Sequence, residues 1–121
     1  MHLRVLLDSN IIIGILNGTI HPDVLHRHVL PAISAVTVME VYALAGMSER
    51  EHRTIEAALR LLDVLPVDAV VGKCAGELAR TRRRSKPDLL IAATALVYDC
   101  LIVTLNVRDF RNIPDLRVQE P

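Results

Sequence analysis

Short apolar runs alternate along the chain with longer segments in which apolar residues recur at helical spacing. The short runs are rich in Leu, Ile and Val and end at polar or turn-forming residues, which is typical of buried strands. Several longer segments begin with Ser, Thr or Pro, residues that favour the first turn of a helix. Strands are therefore predicted at residues 3–7, 32–36, 64–68, 101–105 and 116–119. Helices are predicted at 9–18, 21–30, 37–47, 49–62, 69–83 and 87–98, the first ending at Gly18 and the third capped by Thr37.

The alternation of strands and helices predicts an α/β fold in which helices cover a mostly parallel sheet. The 121 residues suit one domain, residues 1–121, with a single core. That core must be aliphatic, because 51% of the residues are apolar but only three, two Tyr and one Phe, are aromatic. Pro66 places the strand at 64–68 on an edge of the sheet, since proline lacks the N–H that a central strand would donate.

Composition and charge exclude several classes of protein. The formal net charge is zero, which argues against a protein that coats nucleic acid by bulk charge but leaves room for a local basic patch. Cys74 and Cys100 lack a CxxC spacing, so we expect small buried side chains in a reducing compartment. No apolar run reaches the ~20 residues that span a membrane, and Asp8 interrupts the one apolar run that could serve as a signal peptide. We therefore expect a soluble, cytoplasmic protein without membrane contact.

Three carboxylates stand alone in the most apolar stretches of the chain. Asp8 is the only charge in VLLDSNIII (5–13) and Asp88 the only one in PDLLIAATALVY (87–98). Glu40 is the only charge between residues 29 and 48. An unpaired buried carboxylate costs several kcal/mol or takes up a proton. This placement indicates that the three side chains bind something.

The acids also converge in the predicted fold. Asp8 ends the first strand and Asp88 begins a helix, and open parallel sheets bind ligands where strands end and helices begin. Asp109 follows the strand at 101–105 and so lies at the same edge. Clustered carboxylates repel unless a cation neutralises them, and oxygen ligands without thiols suit Mg²⁺ or Mn²⁺. We expect an acidic metal pocket formed by Asp8, Glu40, Asp88 and Asp109, with Ser9, Thr104 and Asn106 orienting a carboxylate or a metal-bound water.

Each acid also has a simpler interpretation. Asp8 could cap the first helix, and Asp88 could cap the helix at 87–98 or complement its dipole, which is worth ~0.3–1 kcal/mol. Glu40 lies within a helix, where capping gains nothing, so its alternative is an ion pair with a buried arginine. Asp109 in RDFR could belong to an exposed turn. Taken together, the four acids favour a site.

The residues resemble PIN-domain nucleases, in particular the small VapC-type toxins of bacterial toxin–antitoxin pairs. The likeness is carried by LLDSNIII (6–13), DLLIAATAL (88–96) and LIVTLNVRDFRNIPDLRV (101–118), and TVMEVYAL (37–44) fits the second acidic position. The resemblance implies a PIN-like three-layer α/β/α sandwich with a mostly parallel five-stranded sheet. It also implies a Mg²⁺- or Mn²⁺-dependent endoribonuclease, usually homodimeric, with a VapB-like antitoxin whose C-terminal segment lies across the active site.

The resemblance assigns roles residue by residue. The family's acidic positions correspond, in chain order, to Asp8, Glu40, Asp88 and Asp109, and its polar positions to Ser9, Thr104 and Asn106. The first and third acids are then the primary metal ligands, and the second and fourth complete the site directly or through water. Hydrolysis of RNA in such proteins leaves 5′-phosphate and 3′-hydroxyl ends.

A run of basic residues precedes the third acid. Family members commonly carry a glycine-containing loop there, whereas this chain has RTRRRSKPD (80–88). The run could be a solvated helix end that compensates the helix dipole. It could instead clamp RNA phosphates beside the metal, giving affinity without sequence choice. The basic residues concerned are Arg80, Arg82, Arg83, Arg84 and Lys86, and Arg108 and Arg111 could extend them.

Other functions fit less well. A receiver-like domain needs paired acids early in the chain and a lysine after a late strand, and no lysine follows Lys86. A haloacid-dehalogenase-type phosphatase needs a second Asp where this chain has Asn10. A catalytically silent PIN-like binding module is the remaining alternative, although such a module would have lost an acid. The histidines lie in polar stretches and are expected at the surface: His21, His26, His28 and His52.

The apolar residues of the first and third predicted helices exceed what a small sheet can cover. They comprise IIIGIL (11–16) and the faces around Val38 and Tyr42. We expect part of this surface to be buried in a homodimer or under the antitoxin. An antitoxin arginine that reaches the acidic pocket would replace the charge of the metal.

Overall fold

The structure, a computed structural model, describes residues 4–28, 30–44 and 46–121. Residues 3, 29 and 45, which belong to three of the predicted elements, lie outside the described residues. The described strands are β1 (Arg4–Leu7), β2 (Ala32–Ser34), β3 (Asp63–Leu65), β4 (Cys100–Val103) and β5 (Arg117–Gln119). The described helices are α1 (Ser9–Leu16), α2 (Ala35–Tyr42), α3 (Glu49–Leu59), α4 (Ala69–Ala79), α5 (Lys86–Tyr98) and α6 (Val107–Phe110), with a 3₁₀-helix at Pro22–His26.

The strands form one parallel sheet in the order β3-β2-β1-β4-β5. β1 and β4 pair from Arg4 opposite Cys100 to Leu7 opposite Val103. The predicted five-stranded parallel sheet is confirmed, and β3 lies at its edge, as Pro66 predicts. Because β2 lies on one side of β1 and β4 on the other, the crevice at the carboxyl ends of β1 and β4 is the topological switch point of the sheet.

Two layers of helices cover the sheet, because neighbouring residues of a strand point to opposite faces. In β1, Val5 and Leu7 pack with residues of α1 and α3, whereas Leu6 packs with residues of α5 and α6. α4 lies against α5, where Val71 and Ala75 are buried beside Ala93. The α/β/α layering implied by the family resemblance is therefore present.

The prediction of an α-helix at residues 21–30 is wrong. The chain forms a short 3₁₀-helix at Pro22–His26 instead. His21 caps this segment, and of its residues only Val24 and Leu25 are buried. Two apolar residues make too narrow a stripe to hold a longer amphipathic helix against the core.

Two boundaries that shape the site also differ from the prediction. β2 ends at Ser34, two residues early, because the Ser34 side chain accepts a main-chain N–H and caps α2. Thr37 therefore lies inside α2 and is not its cap. The strand predicted to reach residue 105 ends at Val103, where the Thr104 hydroxyl accepts the N–H of Asn106 and turns the chain toward α6.

Other elements end earlier than predicted. The helix predicted to reach residue 83 ends at Ala79, because the next seven residues are all polar. The strand predicted to reach residue 68 ends at Leu65, because Pro66 offers no N–H to the ladder. α2 and α3 stop short of the predicted residues 47 and 62, since each closes with i+3 hydrogen bonds that tighten its last turn.

Of the apolar side chains expected to contact a partner, those of α1 are largely buried in the core and some of those of α2 are exposed. Ile11, Ile12 and Ile15 of α1 are buried within the chain. On α2, by contrast, Met39 and Tyr42 are 55% and 37% exposed. Across the described ranges, no helix is long and apolar enough to cross a membrane.

α6 has only four residues and depends on one buried side chain. Phe110 is 1% exposed and belongs to the same buried cluster as Leu6, Ile102 and Ile113. An isolated helix of this length is unstable in water. Packing of Phe110 therefore holds the segment that carries Asp109.

We predict that Phe110→Ala lowers the free energy of unfolding by about 3–5 kcal/mol, the usual cost of removing a buried phenyl ring. Urea unfolding followed by circular dichroism measures the loss. Leu105→Ala is the control, because Leu105 precedes α6 and is 49% exposed, so its truncation should cost less than about 1 kcal/mol. Equal losses in the two variants would contradict the anchoring role of Phe110.

Candidate active site

Asp8 lies directly after β1, at the switch point of the sheet. Its main-chain N–H donates to the Val103 carbonyl at 2.9 Å, which keeps it beside β4. Its extended backbone makes it the N-cap of α1, and its Oδ1 atom accepts the N–H of Ser9 at 2.8 Å. The capping interpretation of Asp8 is therefore correct, yet only 5% of the residue is exposed, which capping alone does not require.

Thr104 binds the other carboxylate oxygen of Asp8. Its buried hydroxyl donates to Asp8 Oδ2 at 2.8 Å. The hydroxyl oxygen of Thr104 also accepts two hydrogen bonds, one from the side-chain amide of Asn10 at 3.2 Å and one from the main-chain N–H of Asn106 at 3.0 Å. A hydroxyl has one hydrogen and two lone pairs, so the hydrogen-bonding capacity of Thr104 is fully used. Asn106 contributes its main chain here, and the residue itself is exposed.

Glu40 reaches the same region from α2. Its Oε1 atom accepts the Ser9 hydroxyl at 2.6 Å, and that hydroxyl also lies 2.9 Å from the Thr37 hydroxyl. Thr37 and Glu40 are three residues apart and so share a face of the helix. In the described part of the chain no Arg or Lys nitrogen lies within 4.0 Å of the Glu40 carboxylate, which contradicts the buried ion pair considered for it.

Asp88 is the third residue of α5. Ser85 caps this helix, because its hydroxyl accepts the N–H of Asp88 at 3.2 Å. Asp88 is therefore not the cap, although an acid in the first turn still interacts favourably with the helix dipole. Its side chain is half-buried and is free of the capping role.

The three acids interact electrostatically. Burial raises the pKa of the Asp8 carboxyl above its ordinary value of 3.8, and the hydrogen bonds from Thr104 and Ser9 lower it in part. The charges of Asp88 and Glu40 raise this pKa further. Asp88 and Glu40 therefore lie near enough to Asp8 for their charges to act on it, whereas a metal pocket formed by these acids stays a prediction.

The chemistry of this donor set suits a hard divalent cation. Its groups are carboxylate and hydroxyl oxygens, and each Asp8 oxygen keeps lone-pair capacity beyond its one hydrogen bond. Among the described residues, no three Asp, Glu, His or Cys side chains already surround a point that could hold an ion. Glu40 Oε1 accepts from Ser9, and other lone pairs of the Glu40 carboxylate remain for an ion or for a bound water.

Asp109 has a different setting from the other acids. In the described structure it is not among the charges that shift the pKa of Asp8, and its main-chain carbonyl accepts Arg84 Nε at 2.9 Å. Its position as a fourth ligand stays a prediction. The surrounding polar cleft, of about 430 Å³, is lined by Leu105, Asn106, Val107, Arg108, Asp109, Arg111 and Glu120.

The basic run forms an arginine loop (residues 80–85) and not a helix end. It connects α4 to α5, and the Arg84 contact with Asp109 ties it to α6. Lys86, the first residue of α5, is exposed. A second polar cleft, of about 360 Å³, is lined by Thr81, Arg82, Arg83, Arg84 and Asn112.

Comparison with known proteins identifies the family. The model of the PIN domain matches residues 5–116. The chain belongs to the PIN-domain family. Ribonuclease VapC19 of Mycobacterium tuberculosis is 33% identical to this PIN domain over 120 residues, which cover 93% of this chain and 96% of the relative. The resemblance to VapC-type members is thereby confirmed.

Two further matches bear on this PIN domain. The tRNA(fMet)-specific endonuclease VapC of Shigella flexneri is 38% identical over 96 residues, which cover 73% of each chain. A solved toxin–antitoxin complex from Klebsiella pneumoniae matches with a TM-score of 0.80 and 29% identity, and 97% of each chain is covered. The structural match agrees with the layered fold described above.

Two residues of the PIN-domain site, Asn10 and Thr37, are not among the site residues predicted from the sequence, in which Thr37 is taken as a helix cap. Asn10 lies two residues after Asp8, and Thr37 lies one helical turn before Glu40. A polar residue one turn from an isolated acid is a signal for such a partner, because the two share a helix face. Thr37 can be recognised in this way only if α2 is known to begin at Ala35, because a residue that caps the helix would lie outside it.

The raised pKa of Asp8 predicts a pH dependence for the stability of the PIN domain. From pH 3.8 up to the raised value, the folded protein binds a proton that the unfolded chain has lost, so Asp8 lowers stability as the pH rises. We predict that, in EDTA, the free energy of unfolding of the wild type falls relative to that of Asp8→Asn as the pH rises above about 4. Urea unfolding across this range measures the difference. If the stability of the wild type relative to Asp8→Asn stayed constant or increased as the pH rose, the pKa of Asp8 would not be raised.

Proposed function

We propose that this PIN domain is a divalent-metal-dependent endoribonuclease, an RNA-cleaving hydrolase that acts as the toxin of a toxin–antitoxin module. The observation that carries the proposal is the buried Asp8 carboxylate, on which the charges of Asp88 and Glu40 act at the switch point of the sheet. Such a cluster is unfavourable unless a cation offsets its charge. The names of two relatives, Ribonuclease VapC19 and tRNA(fMet)-specific endonuclease VapC, support RNA as the substrate class.

The site residues have separate tasks in this reaction. Asp8 and Asp88 are the proposed primary ligands, and Glu40 and Asp109 complete the site directly or through water. When bound, Mg²⁺ or Mn²⁺ supplies Lewis-acid activation of water and offsets charge on the scissile phosphate. Thr104 and the Ser9 N–H hold the Asp8 carboxylate at both oxygens, so its orientation is set before an ion arrives.

We predict that Asp8→Asn and Asp88→Asn each reduce RNA cleavage on the order of 100-fold or more, because each removes an anionic ligand. Cleavage of a purified small-RNA pool is measured with Mg²⁺, with Mn²⁺ and with EDTA. Asp115→Asn is the matched control, since Asp115 is exposed and its φ of 66° suits asparagine. Cleavage in EDTA, or full activity in the folded Asp8 and Asp88 variants, would refute the proposed metal-dependent mechanism.

We propose that the arginine loop holds RNA beside the acids. Arg82, Arg83 and Arg84 line one polar cleft, and Arg108 lines the cleft that contains Asp109. Arg84 links the two clefts through its hydrogen bond to the Asp109 carbonyl. Lys86 extends this basic surface to the start of α5. Phosphate contacts of this kind position a strand without selecting its sequence.

We predict that Arg82→Ala and Arg83→Ala each raise the KM for RNA several-fold with little change in kcat. Each should also reduce the slope of log affinity against log salt by about 0.7, the value for one phosphate contact to a single strand. Fluorescence anisotropy with a labelled RNA between low and moderate salt measures the slope. Arg50→Ala on α3 is the charge-matched control, because Arg50 is exposed. A slope that changes equally in the control would show that only net charge matters.

We also propose a VapB-like antitoxin and a second copy of the chain as partners. The matched solved structure from Klebsiella pneumoniae is described as a toxin–antitoxin complex, which supports an antitoxin here. Met39 and Tyr42 are exposed on α2, the helix that carries Glu40. A partner segment that covers these side chains lies close to the acidic site, where an arginine from it would offset the carboxylate charge.

A further inference from the structure

Thr37 adds a buried hydroxyl to the network around the acids. The residue is 0% exposed, and its Oγ1 atom lies 2.9 Å from Ser9 Oγ. Ser9 Oγ in turn lies 2.6 Å from Glu40 Oε1. The three groups therefore form a chain that leaves α2 at Thr37, crosses to α1 at Ser9 and returns to α2 at Glu40.

The chemistry of these groups sets the direction of each hydrogen bond. Ser9 has a single hydroxyl hydrogen, and a carboxylate has none to give. A contact of 2.6 Å is typical of a hydroxyl that donates to a charged carboxylate, so Ser9 donates to Glu40. Only lone pairs of Ser9 remain for Thr37. The Thr37 hydroxyl is therefore the donor in the contact of 2.9 Å.

We propose that Thr37 is a positioning residue that keeps the Ser9 hydrogen directed at Glu40 and so fixes the Glu40 carboxylate for cation binding. This inference rests on the proposed metal-dependent function. Groups that orient metal ligands from behind typically change metal affinity 10–100-fold when they are removed. Thr37 is such a group, because it contacts Ser9, and Ser9 in turn contacts Glu40.

Thr94 provides an internal comparison. It is also fully buried on a helix, but its hydroxyl donates to the Leu90 carbonyl of its own helix at 2.7 Å, a common arrangement for threonine. The Thr37 hydroxyl instead bonds to a residue of another helix. Loss of the Thr94 hydroxyl therefore tests burial and helix effects without touching the site.

The test measures Mn²⁺ affinity of EDTA-stripped protein by electron paramagnetic resonance titration, with thermal unfolding as the check on folding. We expect Thr37→Val to weaken Mn²⁺ binding about 10-fold or more. Thr37→Ser keeps the hydroxyl and should restore nearly wild-type affinity, and Thr94→Val should leave affinity unchanged. If Thr37→Val does not fold, Thr37→Ala takes its place and must show the same loss.

A double-mutant cycle tests whether Thr37 acts through Ser9. We expect Ser9→Ala to weaken Mn²⁺ binding. In the Ser9→Ala background, Thr37→Val should cause no further loss, because the hydroxyl oxygen of Ser9 that Thr37 contacts is already absent. Wild-type Mn²⁺ affinity in a folded Thr37→Val protein, or additive losses in the cycle, would overturn the positioning role and leave the proposed function intact. A folded wild-type protein that binds no Mn²⁺ would overturn both.

Discussion

The site depends on one constraint, the burial of the Asp8 carboxylate at the end of β1. Only 5% of Asp8 is exposed, and two other acids act on its charge. Water is thus largely replaced by the hydrogen bonds from Ser9 and Thr104. These bonds recover part of the lost solvation, but they leave the repulsion from the neighbouring charges in place. The structure therefore holds a charge arrangement that is unfavourable for the metal-free chain and favourable for a cation.

The order of the strands explains why these particular groups meet. Asp8 follows β1 and Thr104 follows β4, and these two strands are neighbours at the centre of the sheet. Main-chain pairing continues past the strands, since the N–H of Asp8 binds the carbonyl of Val103. Asn10 then ties α1 to the loop after β4 through both its amide nitrogen and its oxygen. The rigid centre of the sheet, and not a flexible loop, thus sets the orientation of the first acid.

The fold class and the convergence of the acids were predictable from the sequence because both leave local signals. Asp8, Glu40 and Asp88 are single charges in apolar stretches, and such charges are rarely buried without a partner. The hydrogen-bond partners were not predictable in the same way. Ser34 and Thr37 both suit a helix cap, and only the exit of the chain from β2 decides between them. α6 depends on the packing of Phe110 against residues that are distant in sequence. The segment Pro22–His26 forms a 3₁₀-helix because only two of its residues are buried in the core. These features are set by tertiary packing.

The separation in sequence of the groups that bind Asp8 has a consequence for synthesis of the protein. Thr104 lies 96 residues after Asp8, and Asp88 lies near the start of α5, the helix that leads into β4. A nascent chain on the ribosome therefore lacks the Thr104 contact until β4 has left the exit tunnel and paired with β1. Contacts between such distant residues form late and slowly. The hydrogen bonds that orient Asp8 are therefore complete only after most of the chain has been translated.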